Sequence, residues 1–249
     1  MCSFSDSNEN LNDGTMMPLA DHIQELRSRL LKSGLAFLMF CVIFSFKVKD
    51  IVSFLEKLAP NVKFLQLAPG EYFFSSIKVI VYVSILFTVP ILLCQLLLFI
   101  IPGLTIKERN LIVPIAIIAL FLFGLGICFA YYILIPAALK FFISYGSDVV
   151  EPLWSLEQYL DFILILLLSS GLAFQLPIIQ VLLGFFEVLT SQQMLSAWRY
   201  VLLIATIAGA ILTPSVDPLT QILLSLAIFS LYFLGIGFIR LLNYYTLSN

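Results

Sequence analysis

Ionisable residues are scarce in this chain, so the few that stand in patterned company define what chemistry it could do. In "DHIQELRSRLL", residues 21–31, Glu25 lies between His22 and the arginines Arg27 and Arg29, just ahead of a long apolar run. In "PGLTIKERN", residues 102–110, Glu108 lies between Lys107 and Arg109. Asp217 lies between Pro214 and Pro218, and Gln175 lies inside the apolar "SGLAFQLPIIQ". Each has a plain structural role open to it. Glu25 and Arg29 stand at i, i+4, a helix pair worth about 0.3–0.5 kcal/mol. Ile23, Leu26 and Leu30 share a different face of that helix, and Asp21 is expected as its N-cap with Gln24 reaching back. Glu108 suits a charged loop after Pro102 and Gly103 end a helix. A bare Asp at a bilayer centre costs about 2.5–3.5 kcal/mol, so Asp217 fits better as the cap of a last helix. Gln175, like Gln95, Gln180 and Gln221, needs a partner in lipid, where interhelical bonds average about 0.6 kcal/mol. Lys78 and Lys140, toward helix ends, can snorkel.

Composition narrows the classes. The chain has 249 residues, 61% hydrophobic and 11% charged, with mean hydropathy +1.07, whereas soluble domains carry roughly 25% charged residues. So much apolar surface needs lipid as its solvent. A net charge of -2 argues against nucleic acid. Cys2, Cys41, Cys94 and Cys128 are scattered with no C-x-x-C, which reads as small buried hydrophobes. His22 is the single histidine and has no carboxylate cluster beside it, so no metal is expected. There is no phosphate-binding glycine loop. Residues 1–17, polar and mildly acidic, read as a disordered tail without the basic and apolar regions of a cleavable signal peptide; residues 243–249 read as a short C-terminal tail.

Six apolar stretches qualify or nearly qualify as spans, which take about 20 residues each. They run from Leu30 to Phe46, Tyr72 to Ile101, Leu111 to Phe142, Tyr159 to Phe186, Trp198 to Leu212 and Leu219 to Phe238. An even number puts both termini on one side. With the termini inside, Arg27, Arg29, Lys32, Lys107, Arg109, Arg199 and Arg240 outnumber the outer Lys47, Lys49, Lys57 and Lys63, so the termini and the 102–110 loop face the cytoplasm or stroma. The second and third stretches exceed the hydrocarbon thickness, and Pro90 and Pro177 predict kinks. The fifth is too short for an undistorted bilayer. Long bent helices beside a short one imply a concave wall. Between the first two spans, an amphipathic helix near Ile51–Leu58 is expected at the interface. No internal repeat is evident.

"HIQELRSRLL", "PGLTIKERN", "FAYYILIPAALKFF", "SGLAFQLPIIQ" and "ILTPSVDPLTQ" occur in the order and spacing of the TatC family, and the chain resembles it over about residues 18–242. "APGEYFF", "FQLPIIQ" and "SVDPLTQ" look most like its cyanobacterial and plastid branch. TatC is the large receptor subunit of the twin-arginine translocase. The resemblance implies an all-α integral membrane protein of six transmembrane helices in a curved, concave arrangement, both termini on the cis side. It implies a Sec-independent translocase subunit, not an enzyme and without cofactor, that recognises twin-arginine signal peptides of folded precursors and nucleates a complex driven by the proton-motive force. Glu25 and Glu108 match the two cis-side glutamates that receive the arginine pair. Arg27, Phe99, Leu104 and Lys107 match positions around that surface. Asp217 matches an acidic position at the outer end of the last helix pair, and Gln175 falls where many members have a glutamate that meets a partner helix. The implied partners are TatA- or TatB-type single-helix subunits, twin-arginine precursors, the lipid bilayer and further copies of the chain. Heavy use of Phe, Ile and Lys favours a plastid thylakoid membrane over a bacterial inner membrane. Two other classes stay open: a secondary transporter, which would want midplane charges, repeats and glycine-broken helices, and a membrane scaffold, which would bind no twin-arginine peptide.

Overall fold

In lipid every backbone polar group must be satisfied within the chain, so a sequence this apolar folds as helices. The computed structural model describes residues 19–60, 62–100, 106–146, 153–186, 188–213 and 218–247, with backbone alone for 19–22, 100, 106–112, 146, 212 and 241–247. The 1–17 tail, Leu104 and Asp217 therefore lie outside the described residues, as do the side chains of Lys107 and Glu108.

Helix α1 spans Leu19–Ser45. It is already formed at Leu19, which overturns Asp21 as its N-cap: Leu19 and Ala20 are good helix formers and carry the helix upstream of the capping residue. Helix α2, Val48–Glu56, is the amphipathic segment, three residues earlier than expected, and buries Val52 and Leu55. Strand β1, Lys63–Leu65, and a turn at Gly70 with φ +87° lead into α3, Glu71–Ile100. The positive φ at Gly70 is the left-handed region that only glycine enters without strain. Pro90 leaves α3 continuous, so no helix break accompanies it.

Helix α4, Ile106–Phe129, passes through a π-helical stretch, Ala130–Leu134, into α5, Ile135–Gly146. The cause lies just beyond. Pro136 has no N–H for the carbonyl of Tyr132, and its ring crowds that oxygen. The wider turn relieves this, and the N–H of Ile135 reaches back five residues to the carbonyl of Ala130. Strand β2, Leu153–Ser155, precedes α6, Leu156–Ala173, whose N-cap Ser155 accepts from the N–H of Gln158. The fourth span then breaks at Phe174–Gln175 and restarts as α7, Leu176–Phe185. Pro177 stands in the first turn of α7, where a missing N–H breaks no bond, so the interruption falls before the proline. Helix α8, Ser191–Ser196, begins with a Thr190–Gln193 capping box. Helix α9, Trp198–Leu212, has 15 residues, about 22 Å, as its apolar run predicts. Helix α10 runs over Pro218–Leu247.

Among the described residues, five helical runs are long and apolar enough to cross a membrane, and α9 is the shorter sixth apolar helix. Helix α1 lies along α3 and is otherwise largely exposed; α3 packs on α6 and α4, α4 on α6, and α10 on α7 and α9. Leu134, Ile135, Leu160, Ile163, Leu164 and Leu166 form the most deeply buried part of the core. At the α4–α6 seam, Ser170 donates its hydroxyl to the carbonyl of Gly126 at 2.8 Å. A Cβ at Gly126 would lie 2.7 Å from the Ser170 carbonyl oxygen and 2.9 Å from the Gly171 Cα, so glycine is required for this approach.

Candidate functional site

Two ends of the bundle carry the charge. At the end where α1 finishes and α3 and α6 begin, Glu71, Lys78, Glu157 and Asp161 are tied to one another's elements. The Glu71 carboxylate accepts from the N–H of Leu67 at 2.5 Å, from Ala68 at 3.1 Å and from the Ser155 hydroxyl at 2.6 Å. The N–H of Glu157 reaches the same carboxylate at 3.4 Å. Glu71 therefore locks the turn before α3 to the start of α6. Lys78 on α3 bridges Glu157 at 2.6 Å and Asp161 at 2.7 Å on α6, partners that its place toward a helix end did not reveal. The Tyr159 hydroxyl donates to the carbonyl of Leu55, and β1 pairs in parallel with β2, Lys63 opposite Leu153. Sequence reasoning missed this clamp because its members are some 80 residues apart. "APGEYFF", with a glutamate opening a helix, was the one local signal.

At the other end, α1 starts, α3 finishes and α4 starts. Glu25 and Arg29 form the expected pair. Arg29 donates from Nε at 3.0 Å and from Nη2 at 2.5 Å, both to Oε1 of Glu25. Among the described residues the second oxygen, Oε2, has no partner. Both side chains are about three-quarters covered, at 25% exposure for Glu25 and 21% for Arg29. Arg29 also donates from Nη1 to Oε1 of Gln95 on α3 at 3.3 Å, and its own carbonyl accepts from the buried Ser33. The helix–helix crossing thus holds a guanidinium on Glu25. Gln95 was noted in the sequence only as an amide in need of a partner; the structure shows what it holds.

The other sequence-derived residues distribute around this point. Arg27, two residues from Glu25, is exposed and faces away from it. Phe99, half-buried, follows Gln95 by one turn and shares its side of α3. Lys107 and Glu108 fall in the first turn of α4. Five residues lie between Ile100 and Ile106, so the two are at most about 22 Å apart. The backbone at Glu108 and the Glu25 side chain are therefore on the same end of the bundle. Gln175 is distant in sequence from this group. It sits at the α6–α7 break, buried, and donates from Nε2 to the carbonyl of Ala119 on α4 at 3.1 Å, while its Oε1 has no partner. Gln221 donates to the carbonyl of Thr206, and Gln180 has a buried oxygen without a partner. Among the described residues no group of three metal-ligating side chains occurs.

Residues 21–226 match the family described as Sec-independent protein translocase protein (TatC). The chain belongs to the TatC family. It is 54% identical over 231 residues to the Synechocystis TatC, described as a Sec-independent protein translocase protein, covering 93% of this chain and 91% of that one. It is 45% identical to the chloroplastic TATC of Arabidopsis thaliana, covering 94% of this chain and 69% of that one. A crystal structure of a twin-arginine translocase receptor TatC superposes with a TM-score of 0.78 at 34% identity, over 88% of this chain and 98% of that one. The six-helix TatC fold is therefore the fold of this chain, with short α9 counted as a span, and the protein is a multi-pass membrane protein of the TatC translocase family.

Proposed function

We propose that the chain is the receptor subunit of a twin-arginine translocase and that Glu25 and Glu108 receive the arginine pair of a precursor's signal peptide. What carries the reading is the common end of α1 and α4. Among the described residues one oxygen of Glu25 has no partner, and α4 begins within one short connection of the helix that touches it. An arginine presents a planar, permanently charged fork, and a carboxylate accepts it through parallel charge-assisted bonds. Two carboxylates on one end can take one guanidinium each. Arg27, Phe99, Leu104 and Lys107 match the family's positions around that surface, and an excess of positive charge there would repel signals without the right geometry.

The remaining assignments follow from the family. The membrane domain is 18–242 with tails on both sides, and the end bearing Glu25 is the cis side, in accord with its lysines and arginines. The membrane is a thylakoid or bacterial inner membrane. Gln175 and Asp217 meet single-helix TatA- or TatB-type subunits, and transport draws on the proton-motive force. The test is Glu25→Ala combined with Glu108→Ala. The double variant should insert at wild-type yield and lose site-specific crosslinking to a twin-arginine precursor; undiminished crosslinking refutes the assignment.

A further inference from the structure

We propose that Arg29 is a resident competitor: its guanidinium occupies Glu25 in the empty receptor and must be displaced, or made to share, when a signal peptide arginine arrives. The inference rests on the receptor reading above and adds a device to it. Glu25 already holds the chemical group it is proposed to bind. Arg29 places two donors on one carboxylate oxygen, at 2.5 and 3.0 Å. It does not do so as a loose surface pair. Gln95 on the neighbouring helix receives its third contact at 3.3 Å, and both charged side chains are about three-quarters covered. An arginine held from two helices keeps its place with little loss of side-chain freedom, unlike an exposed i, i+4 pair.

The contact explains two features together. A partly covered carboxylate beside apolar helix surface would be costly if left bare, and Arg29 neutralises it until a signal arrives. The open Oε2 gives the incoming fork a first point of attachment before the resident bonds to Oε1 are released. Competition of this kind lowers apparent affinity by the fraction of receptors whose Glu25 is free. It lowers it equally for every peptide that must displace Arg29, so it sets a threshold and not a preference. A strong double-arginine signal passes the threshold. A signal with weaker head groups falls below it.

Arg29→Gln removes the competitor, and Gln95→Leu removes its tether while leaving the charge in place. Binding of a fluorescent twin-arginine signal peptide, and of its twin-lysine counterpart, would be measured on the full-length protein in nanodiscs at several salt concentrations. Arg29→Gln should tighten both peptides by about two- to fivefold, with their ratio unchanged. Gln95→Leu should tighten them less, and Arg29→Lys should fall between wild type and Arg29→Gln. Salt should weaken peptide binding more steeply in Arg29→Gln, because in wild type it also loosens the internal pair. Weaker or unchanged binding in Arg29→Gln overturns the proposal, and if Gln95→Leu weakens binding too, Arg29 is a positioning residue for Glu25. A wild-type protein that binds no twin-arginine peptide instead overturns the receptor reading itself.

Discussion

Glycine at position 126 offers the cleanest test of how α4 is held. A Cβ built there would sit 2.7 Å from the carbonyl oxygen of Ser170, 2.9 Å from the Cα of Gly171 and 3.0 Å from the Cβ of Phe174. Two of these three are backbone atoms, so no side chain can rotate away. Ordinary contact requires the α4–α6 seam to open by roughly 0.7 Å, which also stretches the Ser170–Gly126 hydrogen bond. Overpacking of this kind costs about 1–3 kcal/mol. Against it stands the better helix propensity of alanine, about 0.8–1.0 kcal/mol. Gly124, two residues earlier on the same helix, has nothing within 4 Å of its built Cβ. Gly124→Ala therefore gains the propensity without the clash, and the difference between the two variants isolates the clash at about 1–3 kcal/mol. Thermal unfolding of both variants in the same detergent should place Gly126→Ala clearly below Gly124→Ala. Because α4 begins with the Glu108 turn, Gly126→Ala should also lower crosslinking to a twin-arginine precursor. Equal melting temperatures for the two alanine variants would refute the close approach of α4 and α6.

Two further outcomes follow from the polar contacts. Lys78→Met leaves Glu157 and Asp161 as like charges one helical turn apart; with all three groups about a third exposed, the loss should stay under about 1 kcal/mol. Adding Glu157→Gln and Asp161→Asn should recover most of it, as read by unfolding in denaturant. Gln175→Leu removes one interhelical bond but also a buried acceptor without a partner, so stability should move by no more than about 0.6 kcal/mol. The same variant should co-purify less single-helix subunit, and wild-type yield would remove its docking role.

Hydropathy made the spans legible, because length and polarity are local properties of the chain. The short α9 and the amphipathic α2 were both readable from their residues. So was the Glu25–Arg29 pair, which depends on one helix only. What escaped was non-local or depended on proline geometry. Lys78 read as a snorkelling cation because Glu157 and Asp161 are on another helix. Glu71 drew no reading of its own, because Ser155 comes from the far connection. Pro90 and Pro177 were both expected to kink their helices. Helix α3 stays helical through Pro90, and the fourth span breaks at Phe174–Gln175, one turn ahead of Pro177, which has no N–H for the carbonyl of Ala173. A further proline that reshaped a helix was Pro136, through the π-helical turn before it. A proline in a sequence marks a missing donor; whether the helix bends, widens or restarts depends on which carbonyl is left and what surrounds it.

The contrast between the two ends of the bundle bears on how a receptor can be both rigid and responsive. At the α2–β1–β2 end, the described carboxylates Glu71, Glu157 and Asp161 are each held by another element. The buried hydroxyl of Tyr159 is bonded across the connection as well. Those three carboxylates are committed to contacts that join α3 to α6 and its N-cap, while Asp50 and Glu56 on α2 stand outside that clamp. At the Glu25 end, the carboxylate is held by a guanidinium, a group of the kind it is proposed to bind. An exchange of guanidinium for guanidinium changes the energy of the site little, because similar bonds replace those released. The receptor can therefore load without rebuilding its fold, provided the clamp at the far end keeps α3 and α6 in place. On this argument, changes at Glu71 or Lys78 should act on stability and leave peptide affinity alone, while changes at Arg29 should shift the affinity for every signal peptide alike.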